Sequence, residues 1–174
     1  PSPELYSDYS AIRAQLIAEE KLGQSLYILC RSVHDSEVRH WTELPKDARC
    51  PVTGVRRGKL VQGVVHDDNA YYIMEKVAHA GLFSTVAGLG RTLLNLHKMT
   101  NFLPKMIDYI HAAQSPNHDP RFVRGWDRVQ NLEETLAGKG ASALTFGHLG
   151  FTGTSVWINP EQKLGYVLLT NATS

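Results

Sequence analysis

The chain has 174 residues, 43% of them hydrophobic and 20% charged, with a formal net charge of +1. That is enough length for one domain with a sizeable core, and the composition is that of an ordinary globular protein. No run of Lys and Arg gives a nucleic-acid footprint, and no apolar run is long enough to span a bilayer.

Residues 9–21 carry Ile12, Leu16 and Ile17 at helical spacing, and Gly23 is placed to close that helix. Residues 25–33, with Leu26, Leu29 and Cys30, read as a second, short helix. Periodicity then dissolves. From 34 to 68 the stretch is punctuated by Pro45, Pro51, Gly54, Gly58 and Gly63 and reads as a long irregular loop. Within it, Arg56-Arg57-Gly58-Lys59 reads as solvated, and Cys30 and Cys50 fit neither a zinc pattern nor a disulfide framework. Residues 84–100 form the clearest helix, with Ser84 or Thr85 as N-cap and an apolar face of Val86, Leu89, Leu93, Leu94 and Leu96. A further helix is predicted over 101–113, with Pro104 tolerated in its first turn. After turn chemistry at 115–120, a strand is expected at 122–129 and a break at Lys139-Gly140. Further strands are expected at 143–145, 154–159 and 165–170. Helices followed by antiparallel strands define an α+β architecture. The division is a mainly helical region over 1–113 and an antiparallel region over 114–174.

One segment of the second region carries chemistry. Phe146–Ser155 places glycines, hydroxyl residues and His148 just ahead of a hairpin. A strand edge with free N–H groups beside a basic side chain suits an anionic group. The structural alternative is a hydrogen-bonded core histidine. Near the start, Tyr6-Ser7-Asp8 precedes a helix, and by position alone Asp8 reads as its cap. His66, Asp67, Asp68 and His79 are metal-ligating residue types at a spacing that fits no defined motif. Hydrogen bonds that organise loops are the expected role for them, and no metal or cofactor is expected.

Taken together, four segments resemble the serine β-lactamase-like hydrolases and penicillin-binding proteins. Tyr6-Ser7-Asp8 is similar to the family's second motif, and Gln62–Ala70 to a Gly-x-Val-His-Asp-x-Asn-Ala segment. Ala78–Thr85 is similar to Gly-His-Ala-Gly-Leu-Phe-Ser-Thr, and Phe146–Ser155 to the third motif. The resemblance implies part of the β-lactamase/transpeptidase-like fold, incomplete at both ends. It makes Tyr6 a proton-shuttling phenol, puts Asp8 where the family has a substrate-binding Asn, and makes His148 a source of positive potential. Gly150, Phe151 and Thr152 fall in the substrate-binding strand and turn, with the Phe151 N–H as one oxyanion donor.

Two departures stand out. The family's nucleophile is the serine of Ser-x-x-Lys, and no serine in this chain has lysine three residues later. Leu149 replaces a Thr and deletes a hydroxyl. The expected function is therefore a fragment or remnant of a serine hydrolase for an amide or ester, completed by a missing segment or another polypeptide. The alternative is a degenerate module with a structural role in a larger assembly. Relatives suggest the cell envelope if the source is bacterial and an organelle such as the mitochondrion if it is eukaryotic.

Overall fold

The computed structural model describes residues 6–115, 118–171 and 173. The described residues divide into two compact units, one over 6–95 with 171 and 173 and the other over 96–170. The α+β expectation holds, since five α-helices accompany antiparallel strand pairs among the described residues. No described helix is long and apolar enough to cross a membrane.

The first unit contains α1 (Asp8–Leu22), α2 (Leu26–Cys30), β1 (Arg39–His40), β2 (Val52–Arg56) and β3 (Lys59–Gln62). It continues with α3 (Asp68–Ile73), β4 (Leu82–Phe83) and most of α4 (Val86–Thr100). α1 ends as predicted: Gly23 takes φ +66° and its N–H donates to the Glu19 carbonyl at 2.8 Å. Its predicted apolar face is not what anchors it, because Leu16 and Ile17 are exposed. Gln15 is the buried residue instead. Its amide donates to the Lys76 carbonyl at 2.9 Å and accepts from the Ala78 N–H at 2.7 Å.

The stretch 34–68 is not the irregular loop that its composition predicted. β2 and β3 pair as an antiparallel hairpin, and β1 pairs with β4. Arg57 and Gly58 both take positive φ, 49° and 75°, which is the geometry of a tight primed turn. The hairpin hides in the sequence because its strands are short and a register shift between Val52 and Gly54 breaks the alternation. α4 begins as predicted, with Thr85 Oγ1 accepting the Gly88 N–H at 2.9 Å.

The centre of this unit is aromatic and polar. His40 is 1% exposed and 5.9 Å from the Tyr27 ring, and its Nε2 meets no hydrogen-bond partner among the described residues. Tyr27 donates to Glu43 at 2.6 Å, and Lys76 both pairs with Glu43 and sits 4.2 Å over the Tyr27 ring. Burial and then the Lys76 charge hold the His40 imidazole below its usual range, with Glu43 opposing. His34 is lowered in the same direction by burial and Arg31. The unfolded chain thus takes up these protons at a higher pH than the folded one. Stability is intact above the ordinary histidine pKa and falls as pH drops below it. The expected slope is at most about 1.4 kcal/mol per pH unit for each proton. Urea unfolding followed by Trp41 fluorescence at about pH 7.5 and about pH 5.5 checks this. The slope should shrink in His40→Gln, and a midpoint independent of pH rules the effect out.

In the second unit α5 (Phe102–Ala113) precedes a five-stranded sheet of β5 (Phe122–Val123), β6 (Trp126–Arg128), β7 (Phe146–Gly150), β8 (Thr154–Asn159) and β9 (Leu164–Leu168). The strands lie in sequence order and every neighbouring pair is antiparallel. Two strand expectations are corrected. Residues 122–129 form a hairpin, since Arg124 and Gly125 both take positive φ and reverse the chain between β5 and β6. Residues 143–145 are not a strand. The Thr145 hydroxyl accepts the Ser142 N–H at 2.8 Å, which makes a turn, and pairing with the sheet starts at Phe146.

Met106 and Ile110 on α5 are buried, as is Phe146, which is fully enclosed. Phe146 packs edge-on against Phe102 at 5.7 Å and Trp126 at 5.5 Å. Gly147, opposite Trp157, has no room for a side chain: a Cβ there would lie 2.1 Å from the Val156 carbonyl oxygen.

Candidate functional site

The residues singled out in the sequence fall in both units. In the helical unit, Ser7 is the N-cap residue of α1 and Asp8 is its first helical residue, so Asp8 does not cap the helix. Its carboxylate turns to α3 instead, where Oδ2 accepts from the Asn69 amide at 3.1 Å. Asp67 is the N-cap of α3, with Oδ1 accepting the Ala70 N–H at 2.8 Å. The same oxygen lies 2.9 Å from His79 Nε2, and the His79 side chain is only 2% exposed.

One ligating atom each from Asp8, Asp67 and His79 falls within 4.8 Å of the others. These are the described residues that could hold a cation in this unit. The four metal-type residues considered in the sequence do not assemble. His66 Nδ1 is 3.1 Å from the Thr53 hydroxyl, and Asp68 pairs with Arg56 at 2.8 Å. Their loop-organising role is what the hydrogen bonds display.

The electrostatics of this corner are set by the two carboxylates. Burial works to raise the Asp67 carboxyl, but the Ala70 N–H, His79 and the Asn69 N–H outweigh it and leave it below the usual carboxylate range. Burial, then the charges of Asp8 and Asp67, push the Tyr6 phenol up.

In the sheet unit, His148 lies on β7 opposite Val156, and Gly150 opposite Thr154. The pleat sets His148 on the Phe146 side of the strand and Leu149 on the other. His148 Nδ1 is 2.7 Å from the Leu149 carbonyl oxygen, and its ring lies 6.5 Å from Phe122. Phe151 and Thr152 enter the turn that follows, closed by the Gly153 N–H donating to the Gly150 carbonyl at 3.0 Å. Phe151 is 82% exposed.

Sequence reasoning did not assign Asp67, Asn69 and His79 to the Tyr6 corner. Asp67 is a cap-type residue just ahead of the helix at Asp68, and that was the available signal.

A family model described as Beta-lactamase matches residues 32–174. The chain is 40% identical over 123 residues to an "N-acetylmuramyl-L-alanine amidase" of Bacillus subtilis (strain 168), an alignment covering 66% of this chain and 27% of that protein. It is 37% identical over 123 residues to a "Putative D-alanyl-D-alanine carboxypeptidase" of Salmonella enteritidis PT4 (strain P125109), covering 66% and 28%. A protein of the same name from Salmonella typhi gives the same figures. The chain thus spans little more than a quarter of the length of these relatives. No solved structure matches it. Tyr6 and Asp8 precede the residues matched by the family model, whereas Asp67, His79 and the whole of β7 lie inside them. With that match running from just after α2 through the last strand, the chain belongs to the β-lactamase family, the group of serine hydrolases and penicillin-binding proteins.

Proposed function

We propose that this chain supplies the Tyr6–Asp8 and His148 parts of a β-lactamase-related serine hydrolase site, and that a Ser-x-x-Lys segment from elsewhere supplies the nucleophile. The observation that carries this reading is the pairing of retained motifs with the lack of any serine followed three residues later by lysine. Amidase and carboxypeptidase relatives support an amide substrate flanked by alanine. In the reaction, the lysine of that segment takes the serine proton as the hydroxyl adds to the substrate carbonyl, and the proton passes by way of the Tyr6 phenol to the amine as it leaves, giving an acyl-enzyme that water then cleaves. Tyr6 is suited to that relay because a phenol both donates and accepts a proton. Asp8, with Asn69 on it, takes the place of a substrate-binding amide. The Phe151 N–H is one oxyanion donor, the serine N–H the other, and His148 adds positive potential.

A second reading, a degenerate module within a larger assembly, is favoured by Leu149, which offers no hydroxyl to a substrate carboxylate. Labelling with a fluorescent penicillin separates the two. The 174-residue chain alone is expected to take up no label. A designed chain that places a Ser-x-x-Lys helix ahead of Tyr6 is expected to be labelled, and to lose labelling on Tyr6→Phe. Failure of that designed, folded chain to label favours the degenerate module. Labelling of the chain alone overturns the proposal, because the nucleophile then lies within it.

A further inference from the structure

Between the last turn of α5 and the β5–β6 hairpin lies a cavity of about 260 Å³. Tyr109, Ala112 and Ala113 line it from the helix, and Phe122, Val123 and Arg124 line it from the hairpin. None of these residues has a role in the site described above. Pockets for drug-sized molecules run to roughly 300–1,000 Å³, so the occupant of this one is small.

Two rings, the methyls of two alanines and a valine make the walls apolar, and Arg124 is the one charged residue among them. The other arginines of this unit are committed, Arg121 to Asp127 at 2.7 Å and Arg128 to Asp119. Among the described residues the Arg124 side chain has no carboxylate within 4.0 Å and donates no hydrogen bond. A cation that served the end of α5 would donate to one of its last carbonyls. Instead the guanidinium lies 4.6 Å over the Tyr109 ring. Stacking of that kind orients the planar fork and leaves its N–H groups available at the edge. Arg124 is also held at φ +53° in the hairpin turn, a conformation that Gly or Asn takes at less cost.

We propose that this cavity binds a small carboxylic acid with a compact aromatic body, an arylalkanoate. The ligand's ring packs against Tyr109, Phe122 and the alanine methyls, and its carboxylate accepts paired hydrogen bonds from the Arg124 fork. No Asp or Glu lines the cavity to oppose the anion. Phe122, whose ring lies 6.5 Å from that of His148, connects this wall to the surroundings of β7. The site goes beyond the hydrolase reading and does not depend on it.

The test is a ligand titration of the 174-residue chain labelled with 13C at the alanine methyls, with Ala112 and Ala113 assigned by their serine variants. Phenylacetate is expected to shift both signals and to saturate. Acetate, which has no ring, and 2-phenylethanol, which has no charge, are expected to bind at least about tenfold more weakly, the scale of one charge-assisted contact. Arg124→Gln keeps the stem and removes the charge, and is expected to bring phenylacetate down to the level of 2-phenylethanol. Ala112→Phe, which puts a ring into the cavity, is expected to abolish binding of both. Each variant should keep the wild-type far-ultraviolet circular dichroism spectrum. Lys139→Gln, which removes an exposed charge elsewhere in the unit, is expected to leave binding in place. The proposal is overturned by the lack of a saturable shift with phenylacetate or by equal affinity for 2-phenylethanol. It is overturned equally by unchanged binding in folded Arg124→Gln, or by the same loss in Lys139→Gln. None of these readouts involves hydrolysis, so they and the penicillin experiment stand or fall separately.

Discussion

Replacing Phe146 with alanine is expected to destabilise the sheet unit by about 3–5 kcal/mol, the largest effect of any single change considered. The side chain is fully buried and packs edge-on against Phe102 and Trp126, which brings together the start of α5, β6 and the first residue of β7. Truncation removes the apolar surface of a whole ring. It also leaves a cavity that two rigid aromatics cannot collapse into. A loss of that size approaches the whole stability of a small domain, so the unit is expected to lose its packed structure. Trp126 and Trp157 report on it by fluorescence during urea unfolding, and a wild-type midpoint in Phe146→Ala would refute the assignment of this core. The consequence reaches the site, because Phe146 begins the strand that carries His148 and Gly150.

Arg128→Met is expected to cost about 3 kcal/mol, for a different reason. The Arg128 side chain is 1% exposed. Its guanidinium donates to the Pro120 carbonyl at 2.6 Å and to the Val129 carbonyl at 3.3 Å, and it pairs with Asp119. Methionine matches the stem and supplies no donors, so the carbonyls lose partners they cannot replace from water. Asp119 is half exposed and resolvates, which keeps the penalty below that of a wholly buried pair. Arg128→Lys is expected to recover only part of the loss, since one ammonium cannot reproduce a planar fork aimed at several acceptors. Urea unfolding of the three proteins gives the order wild type, Lys variant, Met variant. Equal midpoints for wild type and Arg128→Met would refute it.

Some of the fold was legible in the residues. The helix from Val86 was readable because a Thr85 cap precedes a 3.6-residue apolar repeat, and both are local signals. The end of α1 at Gly23 was readable because only glycine takes that backbone conformation at little cost. The β2–β3 hairpin was not, because four- and five-residue strands with a register shift leave too few alternations to count. The strand at β7 was displaced in the reading by three residues. Its glycines lower strand propensity, and what selects them is close approach across the ladder, of the Val156 carbonyl and Trp157 at Gly147 and of Thr154 at Gly150.

The site divides in the same way. Tyr6-Ser7-Asp8 and Phe146–Ser155 could be picked out because their residue types carry chemistry and their order resembles a known family, and the family match over residues 32–174 spans the second segment. Sequence alone also fixed that no serine here has its lysine three residues on, since that is a matter of reading letters. Where the Asp8 carboxylate points was not a local matter. Propensity made it a helix cap, and the tertiary structure gave it to Asn69. Asp67 and His79 looked like two members of a scattered metal set. The fold separated them from His66 and Asp68 and set them beside Asp8. Short-range signals are written in neighbouring residues, so the sequence determined helix ends, the motifs and the absence of Ser-x-x-Lys among its residues. Contacts between groups far apart in the chain depend on how loops close, and only the folded structure decided which charges face the Tyr6 phenol.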